Sequence, residues 1–285
     1  MIKARKHKEL LRKTIIYCGL ILFALFVLVP FAIMLISSFK HKEETIGSFT
    51  WWPEMGVTLR GYINAFEKVA SSTSIVEGFF NTLWIIIPPT VIGLLVSTLS
   101  AYAFAKMRFR GKKVMFGLLI ATMMVPGIAT LVPSYIIWDY LGITYSAPFV
   151  PLMIPGMFGA AACVFFMRQA ICTIPDSVIE ASRIDGVGPI GCFVKIVLPL
   201  VKPALLSQGV LGFVAGYNDY FGPLIYLKSD YQTLQIAVSV FSDRYSGDWP
   251  SILAANIVAI IPTVLIYIFV QKYFIEGITA GGEKG

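Results

Sequence analysis

Six apolar runs recur along this chain of 285 residues and constrain its fold more than any other feature. A helix of roughly 20 apolar residues crosses the ~30 Å hydrocarbon core of a bilayer and satisfies its own backbone hydrogen bonds there. Composition agrees, because a chain that is 57% hydrophobic has too little polar surface for a soluble globule. We therefore predict an all-α integral membrane protein with six transmembrane helices, at Thr14–Ser38, Phe79–Ala105, Val114–Trp138, Pro148–Ile171, Leu200–Leu224 and Ser251–Lys272.

Basic residues near the ends of the spans predict the orientation, since Lys and Arg are retained in the cytoplasm. They concentrate in the N-terminal segment and in the loop after the second span: Lys3, Arg5, Lys6, Lys8, Arg12, Lys13, Lys106, Arg108, Arg110, Lys112 and Lys113. We expect a cytoplasmic N-terminus (1–13), a transmembrane domain (14–272) and a cytoplasmic tail (273–285) of a multi-pass plasma-membrane protein. Membrane lipid, and no nucleic acid, accounts for the net charge of +7.

Residues that carry enzyme chemistry are scarce. The two histidines, His7 and His41, both lie at span ends, where neither is positioned for a zinc site or for general-base catalysis. The sequence contains no Gly-x-x-x-x-Gly-Lys-Ser/Thr loop that would cradle a triphosphate. We predict no catalytic residue, no metal site and no cofactor in this chain.

One acidic residue stands out because it falls within a predicted span. Asp219 lies in GYNDYFGPL beside Tyr217, Asn218 and Tyr220, and an unpaired charge at mid-bilayer costs at least ~3 kcal/mol. Amide, carboxylate and tyrosine side chains together suit a polyhydroxylated ligand, which makes these four residues a candidate substrate pathway. The alternative is structural: Asp219 caps a broken helix or pairs with a cation of another subunit.

A polar segment from Ile179 to Pro203 interrupts the apolar pattern and predicts a helix, a turn and a second helix. Pro175 and Asp176 open the first helix, with the aspartate as its cap, and Gly186 ends it in a left-handed conformation. Small Ala181 and Ser182 beside charged neighbours favour a docking element for a soluble partner. A generic amphipathic loop remains the alternative.

The same segment, EASRIDG followed by FVKIVLPLVKPAL, closely resembles the EAA motif of permease subunits in bacterial ATP-binding-cassette (ABC) importers. The resemblance implies the type I importer permease fold, with a coupling loop (172–199) between helices 4 and 5 that sits in a cleft of the ATPase subunit. The second Ala of the pattern is replaced here by the small residue Ser182. The residues carried over as coupling residues are Glu180, Ala181, Ser182, Asp185, Gly186, Ile196 and Pro199.

Further stretches resemble carbohydrate permeases of the maltose type: FNTLWI, SAYAFAKMRFRGKK, MMVPGIATLVPSYII and YFIEGITAGGEKG. Many relatives carry Trp where this chain has Tyr217. The resemblance implies a second, nonidentical permease subunit, two cytoplasmic ATPase subunits that bind ATP and Mg, and an extracellular solute-binding protein. The glycines of the tail predict a flexible segment, which by resemblance reaches the ATPase dimer interface.

The sequence thus predicts the permease subunit of an ATP-driven importer of a sugar or oligosaccharide. The same machinery importing a glycerophosphodiester or a polyol is one alternative. An ion-driven secondary transporter is another, although no clear internal repeat is visible.

Overall fold

The computed structural model describes residues 2–47, 50–67, 73–228 and 231–282, and the regular elements in those ranges are helical. A 3-10 turn covers Lys42–Thr45 and a π-helical segment covers Phe193–Val197. The α-helices in chain order are α1 (Ile2–Ser37), α2 (Arg60–Phe66), α3 (Ile75–Lys106), α4 (Lys112–Thr122), α5 (Gly127–Tyr140), α6 (Ile143–Ser146), α7 (Val150–Met157), α8 (Ala161–Cys172), α9 (Asp176–Ile184), α10 (Pro189–Cys192), α11 (Leu198–Leu200), α12 (Lys202–Tyr217), α13 (Phe221–Tyr226), α14 (Leu234–Arg244) and α15 (Trp249–Gly282).

Candidate membrane-spanning segments of two kinds occur among the described residues. Four are long and apolar enough to cross a bilayer singly: Glu9–Ser37, Ile75–Lys106, Val150–Cys172 and Trp249–Phe269. Two more are pairs of helices that are sharply bent, α4 with α5 by 95° and Pro189–Leu200 with α12 by 81°. The third and fifth predicted spans are therefore bent, and helix α12 of the fifth ends at Tyr217, short of the predicted Leu224.

Prolines explain where the bent pairs break. Pro126 has an extended backbone with ψ 128° and immediately precedes α5. A proline disfavours helical geometry in the residue before it and lacks an amide donor, so the helix cannot continue through this position. Pro203 occupies the first turn of α12, where its missing N–H costs nothing. The prolines inside α1, α3 and α15 do not interrupt those helices.

Residue contacts divide the chain into two units, of which the larger comprises residues 68–237 and 260–285. Within it, α3 packs against α7, α8 and α12. Small residues permit the approach: a Cβ on Gly93 would overlap the carbonyl oxygen of Gly156, and one on Gly159 would lie 2.5 Å from Ser97 Oγ. Such contacts between small residues are typical of helix pairs in membranes, where no hydrophobic effect drives association.

The smaller unit comprises residues 1–67 and 238–259. Its internal contacts join the segment after α1 to α2, since Ser38 Oγ lies 2.8 Å from the Tyr62 hydroxyl and the Phe39 and Tyr62 rings pack with centroids 5.1 Å apart. Asn64 of α2 donates from Nδ2 to Ser251 Oγ of α15 at 3.0 Å. Polar side chains therefore fix α2 within this unit.

The end of the chain differs from its prediction. The last helix continues through Gly277 to Gly282, so a flexible tail from residue 273 is wrong for the described residues. An isolated glycine costs a helix only ~1 kcal/mol, which does not stop a helix of 34 residues. Residues 283–285 of the predicted tail lie outside the described residues.

The contact between Gly93 and Gly156 yields a test of the packing. We predict that Gly93→Ala lowers the midpoint of thermal unfolding of the protein in detergent, because the added methyl meets backbone and overpacking costs about 1–3 kcal/mol. The control is Gly117→Ala in α4, where a Cβ has nothing within 4 Å. Equal midpoints for the two variants would contradict the close approach of α3 and α7.

Candidate functional site: the helix-turn-helix and the break after α12

The polar segment folds as the predicted helix, turn and helix. Helix α9 ends in a motif in which the Val187 N–H donates to the Ser182 carbonyl at 2.9 Å and the Gly186 N–H donates to the Arg183 carbonyl at 3.1 Å. This pair of bonds requires a left-handed residue between helix and loop. Gly186 supplies it with φ +75°, which confirms the predicted helix stop.

One face of α9 is buried against the following helical segment. Ile179 is 4% exposed and Ser182 is 3% exposed. Ser182 Oγ donates to the Ile179 carbonyl at 2.7 Å and lies 3.3 Å from Cys192 Sγ. Ser182 is therefore covered by its own chain, where its small side chain allows α9 to pack on Cys192 and Phe193, and its coupling role stays a prediction.

The opposite face of α9 is open. Glu180, Ala181 and Asp185 are exposed, and the apolar side chain of Ile184 is 86% exposed. Beyond the turn, Ile190 is 73% exposed. Two large apolar side chains are therefore exposed at the tip of a polar loop.

The other two predicted coupling residues lie in the second helical segment. Ile196 is half-buried within the π-helical turn, in which the Leu198 N–H donates to the Phe193 carbonyl, and Pro199 is exposed. Such π turns often mark functional sites, and the spacing of apolar residues alone did not predict one here.

A buried lysine ties α9 to the end of α3. Lys106 Nζ donates to the Ile174 carbonyl at 2.6 Å and to Asp176 Oδ1 at 2.6 Å, and the lysine side chain is 7% exposed. The hydrogen bond from Lys106 and its positive charge lower the pKa of the Asp176 carboxyl. The predicted capping role of Asp176 is wrong, because its carboxylate makes this ion pair and no cap bond to α9.

The predicted substrate-pathway residues lie at the break between α12 and α13. Tyr217 is 1% exposed, whereas Asn218 and Asp219 are exposed and Tyr220 is half-buried. Asn218 Nδ2 donates to the Val214 carbonyl at 2.9 Å. Tyr217 is thus a packing residue in this conformation, and the polar groups next to it remain accessible.

Asp219 has a structural task at this break. Its Oδ1 accepts the Gly222 N–H at 3.3 Å, in the first turn of α13. A carboxylate that accepts a free amide at a helix start is a cap, which is the structural alternative for this residue. One bond leaves most of the acceptor capacity of the carboxylate available.

Comparison with known proteins gives consistent matches. The family model described as "Binding-protein-dependent transport system inner membrane component" matches residues 90–279. The arabinooligosaccharides transport system permease protein AraQ of Halalkalibacterium halodurans is 31% identical, over 94% of this chain and 95% of its own. The osmoprotective compounds uptake permease protein GgtD of Synechocystis is 28% identical, over 98% of this chain and 95% of its own. A bacterial ABC transporter involved in import of the acidic polysaccharide alginate has a chain with TM-score 0.75 at 22% identity, covering 92% and 96%.

The contacts of Lys106 predict that two variants destabilise the start of α9 to different extents. Lys106→Met removes both bonds, of which the one to the Ile174 carbonyl, with its charged donor, contributes about 1.5–3 kcal/mol. Asp176→Asn keeps the bond from Lys106 to the Ile174 carbonyl, so we expect a smaller loss of α9 stability in this variant. Hydrogen exchange of the α9 amides measures both, with exchange fastest in Lys106→Met.

The ion pair also predicts a dependence on pH. Because the folded pKa of Asp176 is lowered, its contribution is present above the unfolded value of ~3.9 and is lost as the pH falls below that value through the folded pKa. Exchange in Asp176→Asn should lack this acid transition. Identical acid profiles in wild type and variant would contradict the ion pair.

Proposed function

Because this chain belongs to the family of binding-protein-dependent transport system inner membrane components, we propose that it is the permease subunit of an ATP-driven importer for a sugar or oligosaccharide. The observation that carries the proposal is the helix-turn-helix Asp176–Leu200, whose outer face is unpartnered in this chain. The sugar is supported by AraQ, whose name specifies arabinooligosaccharides and which aligns with nearly the whole chain.

The exposed face of α9 binds a cytoplasmic ATPase subunit in this proposal. Ile184 is the apolar anchor, and the carboxylates of Glu180 and Asp185 beside it fix the orientation of docking. A cleft of about 580 Å³ adjoins this face and carries more cations than carboxylates: Lys106, Arg108, Lys112, Arg183, Asp176 and Glu180. An ATPase surface with acidic residues opposite this cleft complements it in charge.

Two ATPase subunits bind and hydrolyse ATP with Mg, and this chain moves in response. Closure of the ATPase dimer pushes α9, and the bonds from Lys106 pass the displacement to α3. Packing of α3 against α7, α8 and α12 then carries it into the spans. Such a chain of rigid, packed elements is what mechanical coupling requires.

The topology in this proposal has six spans, with each bent pair counted as one. Both termini and the loop 172–199 lie in the cytoplasm, in accord with the basic residues before α1 and after α3. A second, nonidentical permease completes the pathway, and a solute-binding protein delivers the substrate from outside. Asn218 and Asp219 at the break after α12 face the pathway, with Tyr217 as support.

A different solute is the second candidate. GgtD is named for osmoprotective compounds, which supports a solute other than an oligosaccharide, such as a glycerophosphodiester or a polyol, as an alternative cargo for the same machinery. An ion-driven secondary transporter would require no ATPase, so the same reconstitution that tests the proposal distinguishes it.

Two glycines in one turn provide the test of coupling. Gly186 has φ +75°, whereas Gly188 has φ −64°, and a Cβ on either meets nothing within 4 Å. Gly186→Val forces a β-branched residue into the left-handed region at a cost of about 1–3 kcal/mol, which is about fivefold to more than a hundredfold in the population of the correct turn. We expect sugar uptake per ATP hydrolysed to fall at least about fivefold in Gly186→Val and to be unchanged in Gly188→Val.

The measurement uses the full complex in proteoliposomes, with equal amounts of correctly assembled complex for each variant. Full coupling in Gly186→Val would contradict the role of this turn. A loss of the same size in Gly188→Val would show that any added side chain in the loop is harmful. The left-handed φ of Gly186 would then not be the cause of the effect.

A further inference from the structure

A small cavity lies inside the larger unit beside the break after α12. It has a volume of about 110 Å³ and is bordered by Ile85, Pro89, Thr90, Leu152, Asp219 and Thr233, among others. Thr90 is at the midpoint of the 32-residue helix α3, so the cavity lies at membrane depth. Pockets that hold drug-sized ligands measure ~300–1,000 Å³, so this one takes a single sugar ring at most.

Thr233 indicates that the cavity has a polar occupant. The residue is 3% exposed, and its hydroxyl has no hydrogen-bond partner within the described ranges. A buried hydroxyl without a partner destabilises a fold, and such groups in native proteins usually meet a water or a ligand. Because Thr233 borders the cavity, an occupant with hydrogen-bonding groups is the nearest source of a partner for this hydroxyl.

The other polar groups of the cavity select what that occupant is. Pro89 has no N–H, so the carbonyl of Ile85, four residues earlier, receives no bond from its usual helical donor. Asp219 adds a carboxylate of which one oxygen accepts the Gly222 N–H. Carbonyl and carboxylate groups are both acceptors, so the occupant must donate hydrogen bonds, as hydroxyl groups do.

The apolar wall of the cavity and the charge of Asp219 narrow the chemical class of the occupant further. Leu152, Ile86 and Pro223 give an apolar surface of the kind that packs against the C–H face of a sugar ring. Asp219 is the one ionisable side chain among the residues that border the cavity, and it repels an acidic sugar. We propose that this cavity binds one neutral sugar residue of the substrate in transit, with Thr233 and Asp219 bonded to its hydroxyls.

This inference rests on the proposed function, and it adds a location within this subunit and a preference for uncharged sugars. The crossing substrate passes the break after α12, where the helix has ended and side chains reach the pathway. Thr233, in the segment before α14, was not predicted from the sequence. A single threonine does not indicate a ligand-binding role until the cavity beside it is known.

Two threonines permit a matched test. Thr233→Val keeps the shape of the side chain and removes its hydroxyl, and Thr144→Val does the same at a site that is 6% exposed, also without a hydrogen-bond partner among the described residues, and outside the cavity. The assay measures ATP-dependent uptake by the full complex in proteoliposomes. The probe is whichever radiolabelled sugar among maltotriose, arabinotriose and raffinose wild type takes up fastest.

We expect Thr233→Val to reduce uptake about tenfold, the effect of one lost hydrogen bond to substrate, and Thr144→Val to leave uptake unchanged. The midpoint of thermal unfolding should not fall in either variant, because each loses only an unpartnered hydroxyl. Unchanged uptake in Thr233→Val would overturn the inference and would mean that the cavity holds water alone. An equal loss of uptake in both variants would overturn it too.

A second variant tests the charge preference. Asp219→Asn keeps an oxygen for the Gly222 N–H and removes the negative charge, so uptake of radiolabelled digalacturonate should rise relative to the neutral probe. An unchanged ratio would overturn the preference for neutral sugars. Wild-type complex that transports none of the neutral sugars would overturn the proposed sugar import itself, whereas transport that is insensitive to Thr233 and Asp219 overturns only this inference.

Discussion

The two hydrogen bonds of Lys106 determine where α9 lies on the rest of the fold. They hold the start of α9 against the C-terminal end of α3, with one bond to a backbone carbonyl and one to the Asp176 carboxylate. A buried lysine needs such partners, because an ammonium group without them is costly to desolvate. With its start held there and its inner face packed on Cys192, α9 presents only its outer face to a partner. Force applied to that face therefore reaches α3 and the helices packed on it.

Broken helices pose a second problem, which side chains solve. Inside a bilayer each backbone amide needs a partner from the protein, and a helix start leaves several amides free. Ser97 Oγ accepts the Ala160 N–H at 3.0 Å, Asp219 accepts the Gly222 N–H, and Thr82 Oγ1 accepts the Leu234 N–H at 2.9 Å. Two of these bonds come from α3 to other segments. The same helix to which α9 is tied thus also holds the ends of interrupted helices.

Much of this fold follows from the sequence, and the exceptions have physical causes. The apolar runs identify the straight spans because length and hydropathy are local properties, and Gly186 identifies its own turn because only glycine adopts φ +75° readily. The bends of the third and fifth spans escape such reasoning, since other prolines lie inside helices that continue. The inward face of Ser182 and the partner of Lys106 depend on contacts between residues far apart in sequence. Tyr217–Tyr220 were predicted as pathway residues from their chemistry, and burial separates Tyr217 from the accessible Asn218 and Asp219.

In the proposed function, this chain converts ATP hydrolysis by partner subunits into movement of a sugar. The first measurement to make is the ATPase activity of the purified complex in lipid nanodiscs, with its solute-binding protein, across a panel of oligosaccharides. We expect the complex to hydrolyse ATP and one sugar, loaded on the binding protein, to stimulate this activity. A purified complex with no associated ATPase would rule this function out.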